Sequence, residues 1–365
     1  VAGEIEVEGD VVDVLDAVAD FGLGIRRRRR LRWRERAQVI VTALKVGAIG
    51  RRPSPPPEEF RVAGRIHSRS RDKAAVSSHY DVGNDFYRDV LGPSMVYSCA
   101  YWSEDPDYTL ERAQAAKLDL ICRKLGLHEG MRVLDVGCGW GSFAIHAARE
   151  YGVRVLGITL SNEQAELARR RVADAGLTER VEIREQDWRE LPDRDFDAIS
   201  SIGMAEHVGL QEYSHYARSL YGMLRPGGRL LNHQIAGQPS APRGGRRNFR
   251  DAFVFPDGDL LPIATVTGAL EEAGFEVRDV HFLREHYART LRAWLHNLAE
   301  HREQCVRCTS EGRVRVWEVY MAVSAIGFER NVLRVNQTLA VRPDEQGHSG
   351  IPLVREQWLT AVHNN

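Results

Sequence analysis

From residue 110 onward the apolar positions switch repeatedly between two spacings. "LERAQAAKLDLICRKLGL" repeats every three to four residues and predicts a helix, and "MRVLDVGCGWG" is an apolar run ending in glycines, which predicts a strand. "SFAIHAAREY" returns to helical spacing, and "VRVLGITLS" predicts a second buried strand. The order continues through a helix at "NEQAELARRRVADAGL", strands at "RVEIREQDW" and "FDAISSIGMAEHV", a helix over residues 212–224, a turn at "RPGG" and a strand at "RLLNHQIA". "EVRDVHFL" and "LRVNQTLAVR" predict two further strands, a hairpin-like pair closing one edge, with a long helical insertion between them over residues 285–328. Strands alternating with helices predict a parallel sheet covered on both faces, so the fold class is α/β.

Ahead of this region the pattern breaks. "GRRPSPPPEEFRVAGRIHSRSRDK", Gly50 to Lys73, is rich in proline and arginine, has little apolar periodicity and reads as a linker. It divides the chain into an N-terminal unit with its linker, residues 1–72, and a catalytic region, residues 73–365. With 365 residues, 43% of them hydrophobic and 28% charged, the chain can bury a large core. No apolar run approaches the roughly 20 residues of a membrane span. The acidic start lacks the basic and apolar segments of a secretory signal, and five cysteines spread over the chain argue for a reducing cytoplasm rather than a disulfide framework. Cys305 and Cys308 form a CxxC near His296 and His301, but no second ligand pair accompanies them, so no metal is expected.

A net charge of −1 hides strong segregation. Residues 1–20 carry seven acids and no base, and Arg26–Arg36 then holds eight arginines. Such a run is commonly a solvated helix face or a disordered arm. It also suits the phosphates of a nucleic acid, or an anionic membrane leaflet where each cation is worth about 1 kcal/mol. Trp33 among the arginines and "VIVTALKVGAIG" after them favour an interfacial helix, placing the protein at the inner face of the cytoplasmic membrane.

The first strand ends in Asp135, Gly137, Gly139 and Gly141, the form GxGxG. The third glycine comes one residue too early for the dinucleotide fingerprint, and the GK[ST] of a triphosphate loop is absent. A loop of this form suits a ligand with a compact polar end, such as an amino acid group. With its neighbours, "HYDVGNDFY", "YSCAYW", "LDVGCGWG", "GITLSNEQ", "EHVG" and "NHQIAG" in this order, the chain resembles the cyclopropane-fatty-acyl-phospholipid synthase family, which includes the mycolic acid cyclopropane synthases. The resemblance runs from about His79 to residue 340. It implies a Rossmann-like, class I S-adenosylmethionine-dependent methyltransferase with a seven-stranded, mostly parallel sheet, helical insertions and a small N-terminal domain. It further implies that Tyr97 and Ser98 touch the cofactor and that Gly137 and Gly139 lie against its methionine part. Thr159, Leu160, Ser161 and Gln164 then surround the ribose, and Asp187 with Trp188 frames the adenine. An acid after the second strand commonly holds ribose hydroxyls; here "TLSNEQ" leaves that work to hydroxyl and amide groups.

A sulfonium methyl is an electrophile, and an isolated alkene has no proton whose removal would activate it. Methylation therefore leaves a carbocation, which demands a dry pocket offering π faces or negative charge. Tyr80, Tyr101, Trp102, Phe253, Phe255 and Tyr320 are candidate lining, although aromatics at such spacings are as often plain core. Family members hold a bicarbonate ion as base, and the matching positions are Cys99, Glu206, His233, Ile235 and Tyr320. Cys99 and Ile235 would contribute through the backbone, the other three through side-chain hydrogen bonds. The plain readings are a helix-capping glutamate, a satisfied core histidine and an ordinary buried tyrosine.

Many relatives carry a cysteine where "YMAVSAIGF" has Ser324. With that serine and the tail "GIPLVREQW", the chain looks more like the actinobacterial fatty acid methyltransferases, which form a 10-methylene chain that a separate reductase converts to a 10-methyl branch. The resemblance implies an unsaturated acyl chain of a membrane phospholipid as substrate and a homodimer, with no nucleic acid partner. The rival from another class is a nucleic acid methyltransferase that uses the arginine run, and it would leave Glu206, His233 and Tyr320 unemployed. No GxSxG elbow appears, which argues against a hydrolase.

Overall fold

The computed structural model describes residues 7, 9–23, 33–45, 55–60, 64, 68, 71, 72, 74, 82–238 and 249–359. Arg26–Arg32 and Tyr80 lie outside the described residues. The core is a seven-stranded sheet in the order β3-β2-β1-β4-β5-β7-β6. β1 (Arg132–Val136), β2 (Arg154–Thr159), β3 (Val181–Glu185), β4 (Phe196–Ile202) and β5 (Leu224–Gly237) pair in parallel, while β7 (Leu333–Val341) runs antiparallel to β5 and to the edge strand β6 (Glu276–Phe282). The chain moves outward from β1 through β2 to β3, then returns to place β4 on the other side of β1. That reversal opens a crevice at the carboxyl ends of β1 and β4, where α/β sheets of this kind bind ligands. The expected closing pair is present, but the later strand lies inside the earlier one.

Helices cover both faces. Numbered in chain order, α1 is Val11–Leu23, α2 Trp33–Lys45 and α3 Asn84–Leu91. One face of the sheet is covered by α4 (Leu110–Leu125), α5 (Ser142–Tyr151) and α6 (Asn162–Asp174), whose buried side chains include Ile121, Phe143 and Ala168. The other is covered by α8 (Leu210–Met223) and α10 (Ile263–Glu272), through residues such as Tyr213, Leu220 and Leu270. α7 (Ala205–Val208) and α9 (Phe249–Phe253) are short turns of helix between these elements. Local chemistry fixes the ends. The Thr109 side chain accepts from Arg112 N at the start of α4, the Ser161 side chain accepts from Gln164 N at the start of α6, and Gly126 takes the left-handed conformation that ends α4.

Three elements differ from the expectation. The strand beginning "FDAISSI" stops at Ile202, because Gly203 (φ 66°) turns the chain and the next residues form α7, which carries Glu206. "RPGG" is not a free turn: β5 starts at Leu224, and the register against β4 jumps from Leu224 opposite Phe196 to Arg229 opposite Ala198. The segment between is an irregularity in the strand, tied down by the Gly227 N–H, which donates to Arg342 O at 2.7 Å. The helical insertion is three helices, α11 (Arg284–Glu300), α12 (Arg302–Cys308) and α13 (Glu311–Glu329), and α14 (Arg355–Leu359) follows β7. The insertion packs with residues 82–113 into a core of its own around Phe86, Tyr87, Trp294 and Trp317. The acidic α1 docks on α13, burying Val12 against Ala322 and Ile326, with Asp16 paired to Arg330 at 2.8 Å.

Candidate active site

A cavity of about 240 Å3 opens at the carboxyl ends of β1, β2, β4 and β5 and runs beneath the helical insertion. Its floor is the β1–α5 loop. Gly137 (φ 75°) and Gly139 (φ 54°) adopt the left-handed region, and the N–H groups of Gly137 and Cys138 both donate to Ile158 O at 2.9 Å, folding the loop onto β2. Asp135 is buried at the end of β1 and accepts from Ser200 Oγ at 2.5 Å. Burial pushes its carboxyl up to about 6, against the pull of the Ser200 hydroxyl and the Lys117 charge.

The cofactor residues expected from the motifs divide into two sets. Tyr97, Ser98, Asp135, Gly137 and Gly139 line the cavity on one side of the loop, and Thr159, Leu160, Gln164 and Trp188 line it on the other. Thr159 Oγ1 donates to Gln164 Oε1 at 2.8 Å, which orients the amide, and the Trp188 ring is braced edge-on by Tyr216 at 4.9 Å. Gly141, Ser161 and Asp187 do not line it. Gly141 starts α5 at a position where a Cβ would press on Ala168 at 3.4 Å. Ser161 is spent on the α6 cap, and Asp187 caps the 3-10 turn Trp188–Glu190 and pairs with Arg189 at 2.6 Å. These three shape the walls rather than reach the interior.

Glu206, His233, Ile235 and Tyr320 share the same cavity. Cys99 does not line it: the residue is fully buried and its thiol is directed to the carbonyl oxygens of Ala100 (3.2 Å) and Leu283 (3.6 Å). The Ile235 N–H, expected to face an anion, instead donates to Glu206 Oε1 at 2.7 Å. That bond fixes the carboxyl and leaves Glu206 Oε2 buried with no hydrogen-bond partner. Burial pushes the Glu206 carboxyl up to about 7, while the Ile235 N–H opposes the shift. His233 is driven well below its usual range by burial and by Lys117 and Lys124, so the ring is neutral. Gln337 Nε2 lies 3.3 Å from His233 Nδ1; with the amide in this orientation the ring proton is on Nε2, and that atom is buried and unpartnered. The Tyr320 hydroxyl is raised by burial to about 12 and stays a neutral donor.

Of the candidate aromatics, Phe255 and Tyr320 line the cavity, edge to face at 5.8 Å. Tyr101 stacks on His286 at 4.8 Å, Trp102 is bonded to His286 and Thr290, and Phe253 packs on Phe249, all three away from the lining. Cys138 packs in the glycine loop with its thiol kept neutral by burial. Beneath the helical insertion the lining is largely apolar, through Tyr287, Leu291 and Phe328 with Leu333 of β7, and includes Ser324. Sequence reasoning missed that apolar lining, as well as Lys117, Met204 and Arg250 in the wall. Lys117 did leave a signal, a charge on the apolar stripe of α4 between Ala113 and Ile121, as Lys124 is further along it. The CxxC of α12 pairs a buried Cys305 with an exposed Cys308.

This combination of a glycine loop at a topological switch point and a cavity lined by both polar and apolar side chains has counterparts. The family model for mycolic acid cyclopropane synthetase matches residues 67–338. The chain belongs to that family. It is 43% identical over 311 residues to a probable fatty acid methyltransferase of Mycobacterium tuberculosis, covering 84% of this chain and 72% of the relative. It is 35% identical over 308 residues to the cyclopropane-fatty-acyl-phospholipid synthase of Escherichia coli, covering 83% of this chain and 78% of the relative. The crystal structure of the mycolic acid cyclopropane synthase CmaA1 with S-adenosylhomocysteine and CTAB superposes with a TM-score of 0.69 at 35% identity, covering 73% of this chain and 97% of that one. The fold is therefore that of a Rossmann-like class I methyltransferase, and the protein is an S-adenosylmethionine-dependent methyltransferase. Among the described residues no helix is long and apolar enough to cross a membrane.

Proposed function

We propose that this enzyme methylates the cis double bond of an unsaturated acyl chain carried by a membrane phospholipid, with bicarbonate as the base. The observation that carries this reading is the coexistence, in one cavity, of the glycine loop, the apolar lining at Leu291, Phe328 and Leu333, and two buried polar atoms without partners, Glu206 Oε2 and His233 Nε2. A soluble polar substrate would leave the apolar lining idle. S-adenosylmethionine supplies an electrophilic methyl, whose addition to an alkene leaves a carbocation on the acyl chain. The residues of the chain exclude water from that cation and face it with the rings of Tyr320 and Phe255.

The donor set fits a small oxyanion. A neutral His233 offers Nε2–H, and a Glu206 carboxyl raised to about 7 can donate as an acid instead of repelling an anion. Bound there, bicarbonate would supply the base. Proton loss from the new methyl before any rearrangement closes a cyclopropane. A hydride shift first moves the cation onto the methyl-bearing carbon, and proton loss from the same methyl then leaves an exocyclic methylene. Ser324 and the relative named fatty acid methyltransferase favour the second outcome, a 10-methylene chain that a reductase partner would saturate. Mass spectrometry of lipids from bacteria expressing the enzyme tests the reading: acyl chains heavier by one CH2 are expected, and their uptake of hydrogen under mild hydrogenation marks a methylene rather than a ring. Unmodified acyl chains beside active cofactor turnover would reject a lipid substrate.

The N-terminal segment supports docking to anionic lipid. On α2, Trp33 is 73% exposed, with Arg34 over its ring at 5.3 Å, and Ile40 and Val41 on the same helix are about half exposed. Apolar side chains beside cations suit a helix lying in a membrane interface. Replacement of Arg26 to Arg30 by serine is expected to cut binding to anionic vesicles by about a thousandfold in a sedimentation assay, at about 1 kcal/mol for each of the charges removed. Unchanged vesicle binding would move docking elsewhere.

A further inference from the structure

The most unusual group in the wall is Lys117. It stands on the sheet-facing stripe of α4 and is 1% exposed, and its Nζ donates to Ser98 Oγ at 2.9 Å. Among the described residues the Ser98 hydroxyl is its one hydrogen-bond partner, and the carboxyl that attracts it, Asp135, is not in contact with it. A buried ammonium without a counter-ion is strongly unfavourable, so a chain that keeps one has a use for it. Burial has already pushed its titration down to about 8.

The surroundings say what the use is. Asp135, across the glycine loop, is a buried carboxyl held by Ser200, as Lys117 is a buried ammonium held by Ser98. Both line the cavity, and each attracts the other without touching it. One cation and one carboxyl, each fixed by a serine and facing the same space, complement a zwitterion, which carries an ammonium and a carboxylate on one carbon. The amino acid end of S-adenosylmethionine is such a group. The GxGxG spacing points to a compact polar ligand at this place on separate grounds.

We infer that Lys117 is a cofactor-binding residue, its ammonium and the Ser98 hydroxyl together receiving the α-carboxylate of S-adenosylmethionine. Ser98 then acts partly as the tether that aims Lys117. This rests on the cofactor class alone and is independent of the lipid substrate.

Calorimetric titration with two ligands tests it without any turnover. S-adenosylhomocysteine carries the amino acid end, and 5′-methylthioadenosine shares its adenosine and sulfur but lacks that end. Lys117→Met, which keeps the volume and removes the charge, should weaken S-adenosylhomocysteine by about 10- to 100-fold, the range for a hydrogen bond between charged groups, and leave methylthioadenosine within about twofold. Ser98→Ala should give a smaller loss with the same selectivity. Unchanged affinity for S-adenosylhomocysteine, or an equal loss on both ligands, would overturn the assignment and make Lys117 a packing residue. Should Lys117→Met fail to fold, the native protein gives a second reading: the α-carboxamide of S-adenosylhomocysteine should bind at least tenfold more weakly than the acid, and equal binding overturns the inference. A failure of lipid methylation would leave all of these titrations unaffected.

Discussion

Glu206→Gln is expected to lower turnover by about a hundredfold, the low end of the range for acid–base groups, because the amide still donates to the anion but cannot exchange a proton with it, while raising thermal stability at pH 8. The two effects share one cause. The Glu206 carboxyl titrates at about 7 in the fold against 4.5 ordinarily, because burial penalises its charge. A carboxyl raised in this way favours folding most below its unfolded value of 4.5, and the advantage is lost as pH rises to 7. Above 7 the charge is fully present, and its burial costs on the order of 3 kcal/mol. Glutamine carries no charge, keeps an oxygen for the Ile235 N–H and can occupy the same volume. Calorimetry should therefore show a higher melting temperature for the variant at pH 8 and a difference that shrinks toward pH 5. Affinity for S-adenosylhomocysteine should stay within about threefold, because Glu206 is fixed by β5 and not by the glycine loop. A stability gain independent of pH, or a collapse of cofactor affinity, would mean that the residue supports the structure instead of holding the base.

The parts of the fold legible in the sequence are those set by short-range chemistry. β1 and β2 are apolar runs followed by glycine or serine, and α4 and α6 keep the three-to-four-residue spacing from which they were expected, although Gly126, inside the expected helix, ends α4 and Ser161, inside the expected strand, caps α6. Elements decided by distant partners were not legible. β7 sits between β5 and β6 because its residues pair on both sides, His233 opposite Gln337 and Gln337 opposite His281, and no local pattern records that double pairing. "RPGG" has the composition of a turn, yet Arg342, more than a hundred residues away, captures it into a strand. The site divides along the same line. A motif names the residues that build a loop, and some of these, Gly141, Ser161, Asp187 and Cys99, are consumed in building it. Lys117 was hidden for the opposite reason: a helical reading treats a charge on the apolar stripe as noise, and only its place beside Ser98 shows it to be aimed at the cavity.

Gly137→Val should be the most damaging single change to cofactor binding, with S-adenosylhomocysteine weakened more than a hundredfold, or about 3 kcal/mol. At φ 75° the residue occupies the left-handed region, which costs roughly 1–2 kcal/mol for a residue with a Cβ and more for a branched one. A Cβ there would also meet Met204 Cβ and Sδ at 3.3 Å, and Met204 is itself a wall of the cavity. Relief requires the loop to tilt, but its N–H groups at Gly137 and Cys138 are both committed to Ile158 O, so tilting breaks the attachment to β2. Strain, intrusion and loss of anchorage thus act at one position. Gly139→Ala is the control: its φ is 54°, and an added Cβ would find only Gln164 Nε2, at 3.9 Å. It should lose about tenfold in affinity, chiefly because its φ also lies in the left-handed region, which costs roughly 1–2 kcal/mol for a residue with a Cβ. Titration of both variants, with melting temperatures to show that each is folded, ranks the two positions. If Gly137→Val kept an affinity within threefold of the native enzyme, the methionine part of the cofactor could not lie against this loop, and the zwitterion would have to be held from the far wall of the cavity.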